Sequence, residues 1–71
     1  MNKGCKVHIW RVRYIFIDPF HRMNTHDEEE FVFTNKDSIQ DACTIFYSMH
    51  PDRESHQVYE VALYSVKTFD L

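Results

Sequence analysis

Residues 6–17 read KVHIWRVRYIFI, the longest run of β-forming residues in the chain, and this stretch decides the fold. Aromatic and β-branched side chains suit the pleated, half-buried surface of a sheet. Alternation predicts one almost wholly apolar face that should meet the core, formed by His8, Trp10, Val12, Tyr14 and Phe16. The opposite face has aliphatic residues at its ends and Arg11 and Arg13 in its middle. Since a helix would bury one of these arginines in most registers, we predict a long central strand.

A second strand is predicted over Glu29–Thr34, antiparallel to the first. Alternation should turn two residues toward the core and three away from it: Phe31 and Phe33, against Glu30, Val32 and Thr34. Glu30 would then lie on the same sheet face as Arg11 and Arg13, where a cross-strand ion pair can form. The alternative is that the glutamates at 28–30 are simply the solvated end of a loop.

The segment before this strand, Phe20–Asp27, is polar and is predicted as a loop that follows Asp18-Pro19. It is longer than a tight hairpin needs, and long loops in small domains are often functional or mobile. Because Gly4 is the single glycine of the chain, left-handed loop residues should be asparagine or aspartate, with Asn24 as the best candidate. Residues 1–4 are predicted as a short tail.

A helix is predicted over Ser38–His50, because apolar residues recur there at helical spacing and Pro51 follows. Its core-facing stripe would consist of Ile39, Ala42, Cys43, Phe46 and His50. Thr34 or Asn35 is the expected N-cap, since either side chain can accept a hydrogen bond from the first turn.

A third strand is predicted over Gln57–Phe69. Strict alternation points three residues inward and five outward: Tyr59, Val61 and Leu63, against Val58, Glu60, Ala62, Tyr64 and Val66. The order strand, strand, helix, strand predicts that residues 1–71 form one small α+β domain of ββαβ type, with sheet order 2-1-3 and the helix on one face. A right-handed crossover through the helix would let the third strand lie parallel to the first.

One helix can cover only one face of such a sheet, so the second face should present a partly apolar surface. Its expected members are Val7, Ile9, Arg11, Arg13, Ile15, Ile17, Val32, Val58, Ala62, Tyr64 and Val66. Contiguous exposed apolar patches on monomers rarely exceed roughly a few hundred Å². We therefore interpret this face as an interface rather than as a tolerated solvent face.

The composition limits the classes of function. Eight Lys+Arg residues against eleven Asp+Glu, with a net charge of −3, do not provide the clustered basic surface of a nucleic-acid binder. The N-terminal residues lack the apolar core of a signal peptide, and no stretch approaches the ~20 apolar residues of a membrane span. The expected location is the cytoplasm, of the protein's own cell or of a host cell.

The sequence contains no strong pattern of a metal site, a cofactor site or a catalytic site. Histidines and acidic residues cluster in 21–30 and in 50–56, but neither cluster has the spacing of a strong metal site, so no metal or cofactor is expected. Cys5 and Cys43 are expected to be reduced thiols, and Cys43 lies on the apolar stripe of the helix, as a core thiol would. Because so small a domain has little room for a pocket, we do not expect an enzyme.

The leading hypothesis is a small binding protein that occupies a surface on another protein. Its expected contacts are Arg11, Arg13, His21, Arg22, His26, Glu28, Glu29, Glu30 and Tyr64. The glutamates would match a basic surface on the partner. In size, acidity and lack of a catalytic signature, the chain resembles the small accessory proteins of phages and mobile elements, many of which inhibit a host enzyme or defence complex by binding it. The alternatives are a homodimeric structural or regulatory module and a nucleic-acid-binding protein.

Overall fold

A computed structural model describes residues 4–70, which form one three-stranded sheet and one helix. The elements in chain order are β1 (Gly4–Ile17), β2 (Thr25–Thr34), α1 (Ile39–Met49) and β3 (His56–Asp70). The sheet order β2-β1-β3 confirms the predicted α+β fold of ββαβ type, with the long first strand in the middle. Residues 1–3 of the predicted tail lie outside the described residues, and Gly4 already belongs to β1.

The direction of β3 differs from the prediction, because β1 pairs antiparallel with both of its neighbours. α1 carries the chain back to the level at which β2 began, since β3 starts with His56 opposite Phe16 and β2 starts with Thr25 opposite Ile17. β3 therefore runs parallel to β2 and antiparallel to the strand between them. A helical crossover aligns the two strands that it connects, which here are β2 and β3.

The core lies between α1 and the face of β1 that the sequence predicts, and we call this face of the sheet the helix side. Its buried cluster consists of Trp10, Val12, Tyr14, Val32, Ala42 and Phe46. Phe46 is 1% exposed, and burial of a side chain of this kind stabilises the fold by about 1.5–3 kcal/mol. Only Ala42 and Phe46 of the predicted helical stripe are fully buried, while Ile39, the first helical residue, stays half exposed.

The N-cap of the helix lies four residues after Thr34 and three after Asn35, the two predicted candidates. Ser38 is the N-cap: it has extended backbone angles, and its Oγ accepts a 3.2 Å hydrogen bond from the backbone N–H of Asp41. Thr34 is the last residue of β2, and its hydroxyl donates instead to the carbonyl of Lys36 at 2.6 Å. Asp37 and Ser38, which follow Lys36, connect the end of β2 to the first turn of the helix.

The alternation of β2 is the reverse of the prediction. Val32 and Thr34 are buried on the helix side, whereas Phe31 and Phe33 are exposed on the other face. The pairing of Val32 with Trp10 sets this phase, since directly opposed residues of an antiparallel pair share a face. Strand β2 also begins at Thr25, so the connecting loop is shorter than predicted.

Two bulges in β3 explain why strict alternation misplaces several of its residues. The register with β1 shifts twice, and each shift leaves one residue of β3 without a partner, first Tyr59 and then Tyr64. A bulge puts two consecutive residues on the same face and so restarts the alternation. Val58 and Val66 consequently lie on the helix side, and Tyr59 lies on the opposite face.

The loop between β1 and β2 is closed by the side chain of Asp18 without a left-handed residue. Its Oδ1 accepts hydrogen bonds from the backbone N–H groups of Phe20 at 2.8 Å and His21 at 3.3 Å. The backbone N–H of Asp18 donates to the carbonyl of Asn24 at 3.1 Å, and that of Asn24 donates to the carbonyl of His21 at 2.8 Å. No residue within 4–70 has a positive φ, so the prediction for Asn24 is wrong.

The molecule is elongated, with extents of 55 × 18 × 16 Å and a radius of gyration of 14.8 Å. A compact chain of this length has a radius of gyration of about 11 Å. The eleven residues of α1 span about 16 Å, whereas the fifteen residues of β3 span about 50 Å. The helix thus covers only part of one sheet face and none of the other.

Candidate protein-binding surface

The sheet face opposite α1 carries no covering element among the described residues, and we call it the open face. Strand register and side-chain contacts place there Ile9, Arg11, Arg13, Ile15, Asp27, Glu29, Phe31, Phe33, Tyr59, Glu60, Ala62 and Tyr64. Six residues predicted for this face lie on it: Ile9, Arg11, Arg13, Ile15, Ala62 and Tyr64. Ile17, also predicted for it, is buried. Three valines predicted for the open face, Val32, Val58 and Val66, lie on the helix side.

Four aromatic side chains give the open face its apolar character. Phe31, Phe33, Tyr59 and Tyr64 are 41%, 58%, 51% and 62% exposed. The rings of Phe31 and Tyr64 meet edge to face across the sheet, with their centroids 5.0 Å apart. Edge-to-face contact holds both rings in place while half of their surface remains in water.

A charged cluster lies on the same face. Nη2 of Arg11 is 3.4 Å and Nη1 of Arg13 is 3.6 Å from Oε1 of Glu60, so two guanidinium groups share one carboxylate. The guanidinium of Arg13 also lies over the ring of Tyr59, 5.9 Å from its centroid. These side chains are about one third to two fifths exposed, and pairs of that kind contribute roughly 0–1 kcal/mol each to stability. The cluster therefore orients the side chains more than it stabilises the fold.

The donors of this cluster are not all used within the chain. Nε of Arg11 is buried and has no hydrogen-bond partner among the described residues. Glu29 lies opposite Arg13 in the register of β1 and β2, is exposed, and forms no ion pair in the described part of the chain. Asp27 accepts a 3.3 Å hydrogen bond from the hydroxyl of Tyr59. A shallow cleft that extends from β2 across β1 to β3 is lined by these two acidic residues together with Glu28, Arg13 and Tyr59.

The predicted acidic run does not form one surface, because alternation divides it between the two faces of the sheet. Glu29 points to the open face, whereas Glu28 and Glu30 point to the helix side. Oε1 of Glu28 is 3.1 Å from Nε2 of His26. The predicted ion pair between Glu30 and the two arginines is wrong for this reason, and Glu60 on β3 forms it instead.

Glu30 anchors the end of α1 to the sheet. Its Oε1 accepts a 3.1 Å hydrogen bond from the hydroxyl of Tyr14, and its Oε2 accepts one of 2.7 Å from Nε2 of His50. Burial of Tyr14, followed by its hydrogen bond to Glu30 and the nearby carboxylates, raises the pKa of Tyr14 to about 12. The hydroxyl of Tyr14 therefore stays protonated near neutral pH and donates to the carboxylate of Glu30. This hydrogen bond helps to hold the strands together.

The turn before β3 packs against the same end of α1. The rings of His50 and His56 stack with their centroids 4.4 Å apart, and Nδ1 of His56 donates to the carbonyl of Asp52 at 2.8 Å. The hydroxyl of Ser55 donates to Oδ2 of Asp52 at 2.9 Å, which lowers the pKa of that carboxyl. In the described part of the chain, no three histidine, cysteine or acidic side chains are arranged to hold a metal ion.

His21 and Arg22 lie in the loop at the end of the sheet, away from the strand positions of the open-face cluster. Nδ1 of His21 is 3.7 Å from Oδ2 of Asp18, and Nη1 of Arg22 is 3.9 Å from Oε2 of Glu54. The structure thus divides the nine predicted contact residues among three places. Arg11, Arg13, Glu29 and Tyr64 meet on the open face; His26, Glu28 and Glu30 lie on the helix side; His21 and Arg22 lie in the loop.

Comparisons with protein-family models, with curated proteins and with solved structures returned no match for this chain. No helix among the described residues combines the length and the apolar character needed to cross a membrane. Cys5 and Cys43 are half-buried free thiols. The candidate surface is therefore defined by its own geometry and chemistry.

The sequence interpretation missed four important residues of this surface as contacts: Phe31, Phe33, Tyr59 and Glu60. For the two phenylalanines, a signal was present in Thr34, whose hydroxyl is the acceptor that a buried Trp10 requires. Placing Thr34 inward would have turned both rings outward. For Tyr59 and Glu60, the bulges carry no comparable sequence signal.

Proposed function

We propose that this chain is a non-enzymatic protein-binding module that acts by presenting its open face to another protein chain, as a small inhibitor or adaptor does. The observation that carries the proposal is the half-exposed aromatic group of Phe31, Phe33, Tyr59 and Tyr64 around the Arg11–Glu60–Arg13 cluster. Tyrosine and arginine are enriched among the residues that dominate binding energy at protein interfaces.

The exposed aromatic surface is large enough to drive binding. Four rings of about 200 Å² each, roughly half exposed, offer about 400 Å², which corresponds to a gross gain of about 10 kcal/mol. Association costs several kcal/mol in lost rigid-body freedom and in ordering of side chains. At the low end of that cost, about 4 kcal/mol, the net gain is about 6 kcal/mol, which corresponds to a Kd of roughly tens of micromolar, and apolar area buried on the partner adds to it.

The face is a better contact than either edge of the sheet. The edge strand β2 carries four consecutive acidic residues, 27–30, and the edge strand β3 is interrupted by bulges at Tyr59 and Tyr64. Edge charges and bulges both oppose the addition of a further strand. A partner that binds by side-chain packing on the open face avoids both obstacles.

Single-stranded nucleic acid is the second candidate, because Arg11 and Arg13 share the open face with aromatic rings that could stack on bases. This arrangement removes one argument against it, since the sequence had placed arginines and aromatic residues on opposite faces. Asp27, Glu29 and Glu60 lie among them, however, and would repel a phosphate backbone. We therefore favour protein over nucleic acid.

The test is site-specific photocrosslinking in extracts of the cells in which the protein occurs. A benzophenone amino acid replaces Phe33 or Tyr64 on the open face, and Gln40 on the exposed surface of α1 in the matched control. We expect a discrete protein adduct from positions 33 and 64 and none from position 40.

Equal adducts from all three positions, or no protein adduct from the open face, would refute the proposal. A nuclease-sensitive adduct at positions 33 and 64 would instead support the nucleic-acid alternative. A matching titration of the purified protein with single-stranded RNA, at low and at high salt, separates the two classes of partner.

A further inference from the structure

We infer that the partner of the open face is a second copy of this chain, which packs face to face on the first about a two-fold axis. This inference rests on the proposed function and specifies its partner. It follows from three properties of the open face: the balance of its charges, the area that it leaves exposed, and the geometry of the sheet.

The charges of the open face are self-complementary. Its cations, Arg11 and Arg13, lie on the central strand, and its anions lie on both flanking strands, with Asp27 and Glu29 on β2 and Glu60 on β3. Neither sign prevails strongly, so the face does not call for a strongly basic or acidic partner. A two-fold interface joins a patch to itself, so a charged patch can pair with its own copy only when it carries both signs.

Charged groups of the open face that are only partly paired within the chain also fit a second copy as the partner. Arg11 directs only one nitrogen, Nη2, toward Glu60, and its side chain remains about one third exposed. Glu29 is an exposed carboxylate with no ion pair in that same part. In a face-to-face pair, the Glu29 side chain of one copy can serve the arginines of the other, and bonds from carboxylate to guanidinium are among the strongest.

The area that the chain leaves exposed matches what a stable dimer buries. The accessible surface is 5378 Å². A compact monomer of 8.6 kDa exposes about 4,700 Å², so the excess is about 700 Å². Each partner in an interface of standard size buries about 800 Å². The aromatic group on the open face supplies roughly half of that area.

The geometry of such a pair follows the packing rules of sheets. Two twisted sheets stack about 10 Å apart with their strands about 30° from parallel. The two open faces would form the inner layers, and the two α1 helices would lie on the outside. In such a pair, each open face would be covered by the sheet of the other copy, and α1 would still cover part of the helix side.

The experiment measures mass in solution and tests complementarity directly. Sedimentation equilibrium of the purified chain should give twice the 8.6 kDa monomer mass at tens of micromolar. An acidic double variant, Arg11→Glu with Arg13→Glu, leaves carboxylates without cations on the central open face. A basic double variant, Glu29→Lys with Glu60→Lys, leaves an excess of cations.

We expect each double variant alone to be monomeric, with dimer affinity reduced at least tenfold, and an equimolar mixture of the two to form the heterodimer. The matched control is Phe20→Glu, which adds a charge at an almost fully exposed loop residue outside this face and should leave the dimer intact. A purified chain with the benzophenone amino acid at position 64 should also give a covalent dimer on irradiation. This readout does not depend on the folding of the charge variants.

A monomeric wild-type chain at 200 µM with no covalent dimer would overturn the inference. If position 64 then still crosslinks to a different protein in cell extract, the proposed function stands and only the identity of the partner is wrong. If it crosslinks to no protein, both fail. A wild-type dimer that persists in both double variants would show that a different surface mediates pairing, which also overturns the inference.

Discussion

The indole Nε1 of Trp10 donates a 2.8 Å hydrogen bond to Oγ1 of Thr34, across the boundary between β1 and β2. The Thr34 hydroxyl in turn donates to the carbonyl of Lys36 at 2.6 Å. Both side chains are buried, so the indole N–H has no access to water as an alternative acceptor. The bond joins β1 and β2 on the helix side, where Thr34 lies with Val32, so that Phe31 and Phe33 are left on the open face.

Replacing Thr34 by valine should lower the free energy of unfolding by about 1–3 kcal/mol, because the indole N–H of Trp10 and the Lys36 carbonyl lose their partner without a change in side-chain volume. Urea unfolding followed by the fluorescence of Trp10, the single tryptophan, measures the effect. Thr34→Ser keeps the hydroxyl and should retain most of the stability. Equal losses in the two variants would mean that packing of the methyl group, rather than the hydrogen bond, matters at this position.

Truncation of two phenylalanines should have different effects, on folding for Phe46 and on binding for Phe33. Phe46→Ala removes a buried ring that contacts Tyr14 and His50, and should destabilise the fold by about 3–5 kcal/mol. Phe33→Ala removes a ring that is more than half exposed, and should change the free energy of unfolding of the monomer by less than about 1 kcal/mol while weakening binding at the open face. Urea unfolding at low protein concentration gives both values. A large monomer destabilisation by Phe33→Ala would contradict its assignment to an exposed surface.

Stability should fall at alkaline pH because of Tyr14. Its pKa is about 12 in the folded state against 10.0 for a free tyrosine, so the folded state holds the proton more tightly than the unfolded state. The contribution is fully present below pH 10 and decreases as the pH rises toward about 12, by roughly 2–3 kcal/mol in total. Unfolding free energies measured between pH 8 and pH 11 should therefore decline.

The control for this decline is Tyr14→Phe, which lacks the titrating hydroxyl. Other tyrosines and the lysines ionise in the same pH range, so the relevant quantity is the difference between the pH slopes of the wild type and the variant. At pH 7, the variant should also lose about 1 kcal/mol, because Glu30 loses the hydrogen bond from the phenol. Parallel slopes in the two proteins would show that Tyr14 does not have a raised pKa.

The helix should depend on its cap. Ser38→Ala removes the hydroxyl that accepts from the backbone N–H of Asp41 and should cost about 1 kcal/mol. Ser38→Asp supplies another acceptor and a negative charge at the positive end of the helix, and it should be neutral or stabilising. Thermal unfolding followed by circular dichroism compares the two. Asn35→Ala, at one of the two positions predicted as the N-cap, should have little effect.

Much of the fold could be predicted because β1 carries so strong a pattern. Its apolar face, from His8 to Phe16, allows only one phase, and the order of the elements then sets the sheet order. The phase of β2 was predicted wrongly, because hydrophobicity favours buried phenylalanines over Val32 and Thr34. In the structure Val32 packs opposite Trp10 and Thr34 accepts its indole N–H, and both relationships join residues more than 20 positions apart in the chain.

The open face itself was predicted, but part of its composition was not. Arg11, Arg13 and Tyr64 follow from simple alternation, whereas Tyr59 joins them through a bulge, a local irregularity that has no distinctive residue type in this chain. The acidic run at 28–30 was read as one patch, although a strand necessarily divides consecutive residues between its faces. Glu60 was correctly placed outward but was not recognised as the partner of both arginines.

The backbone of residues 4–70 contains no positive φ angle, and even the single glycine, Gly4, has room for a side chain: a Cβ there would lie 3.5 Å from Cγ2 of Thr68. An alanine scan of these residues would therefore place no Cβ in a left-handed backbone conformation, and outside Gly4, Pro19 and Pro51 it would report mainly the loss of side-chain atoms. For a chain of 71 residues, such a scan is a single plate of variants, and it would map the energetics of folding and of association on the same set of proteins.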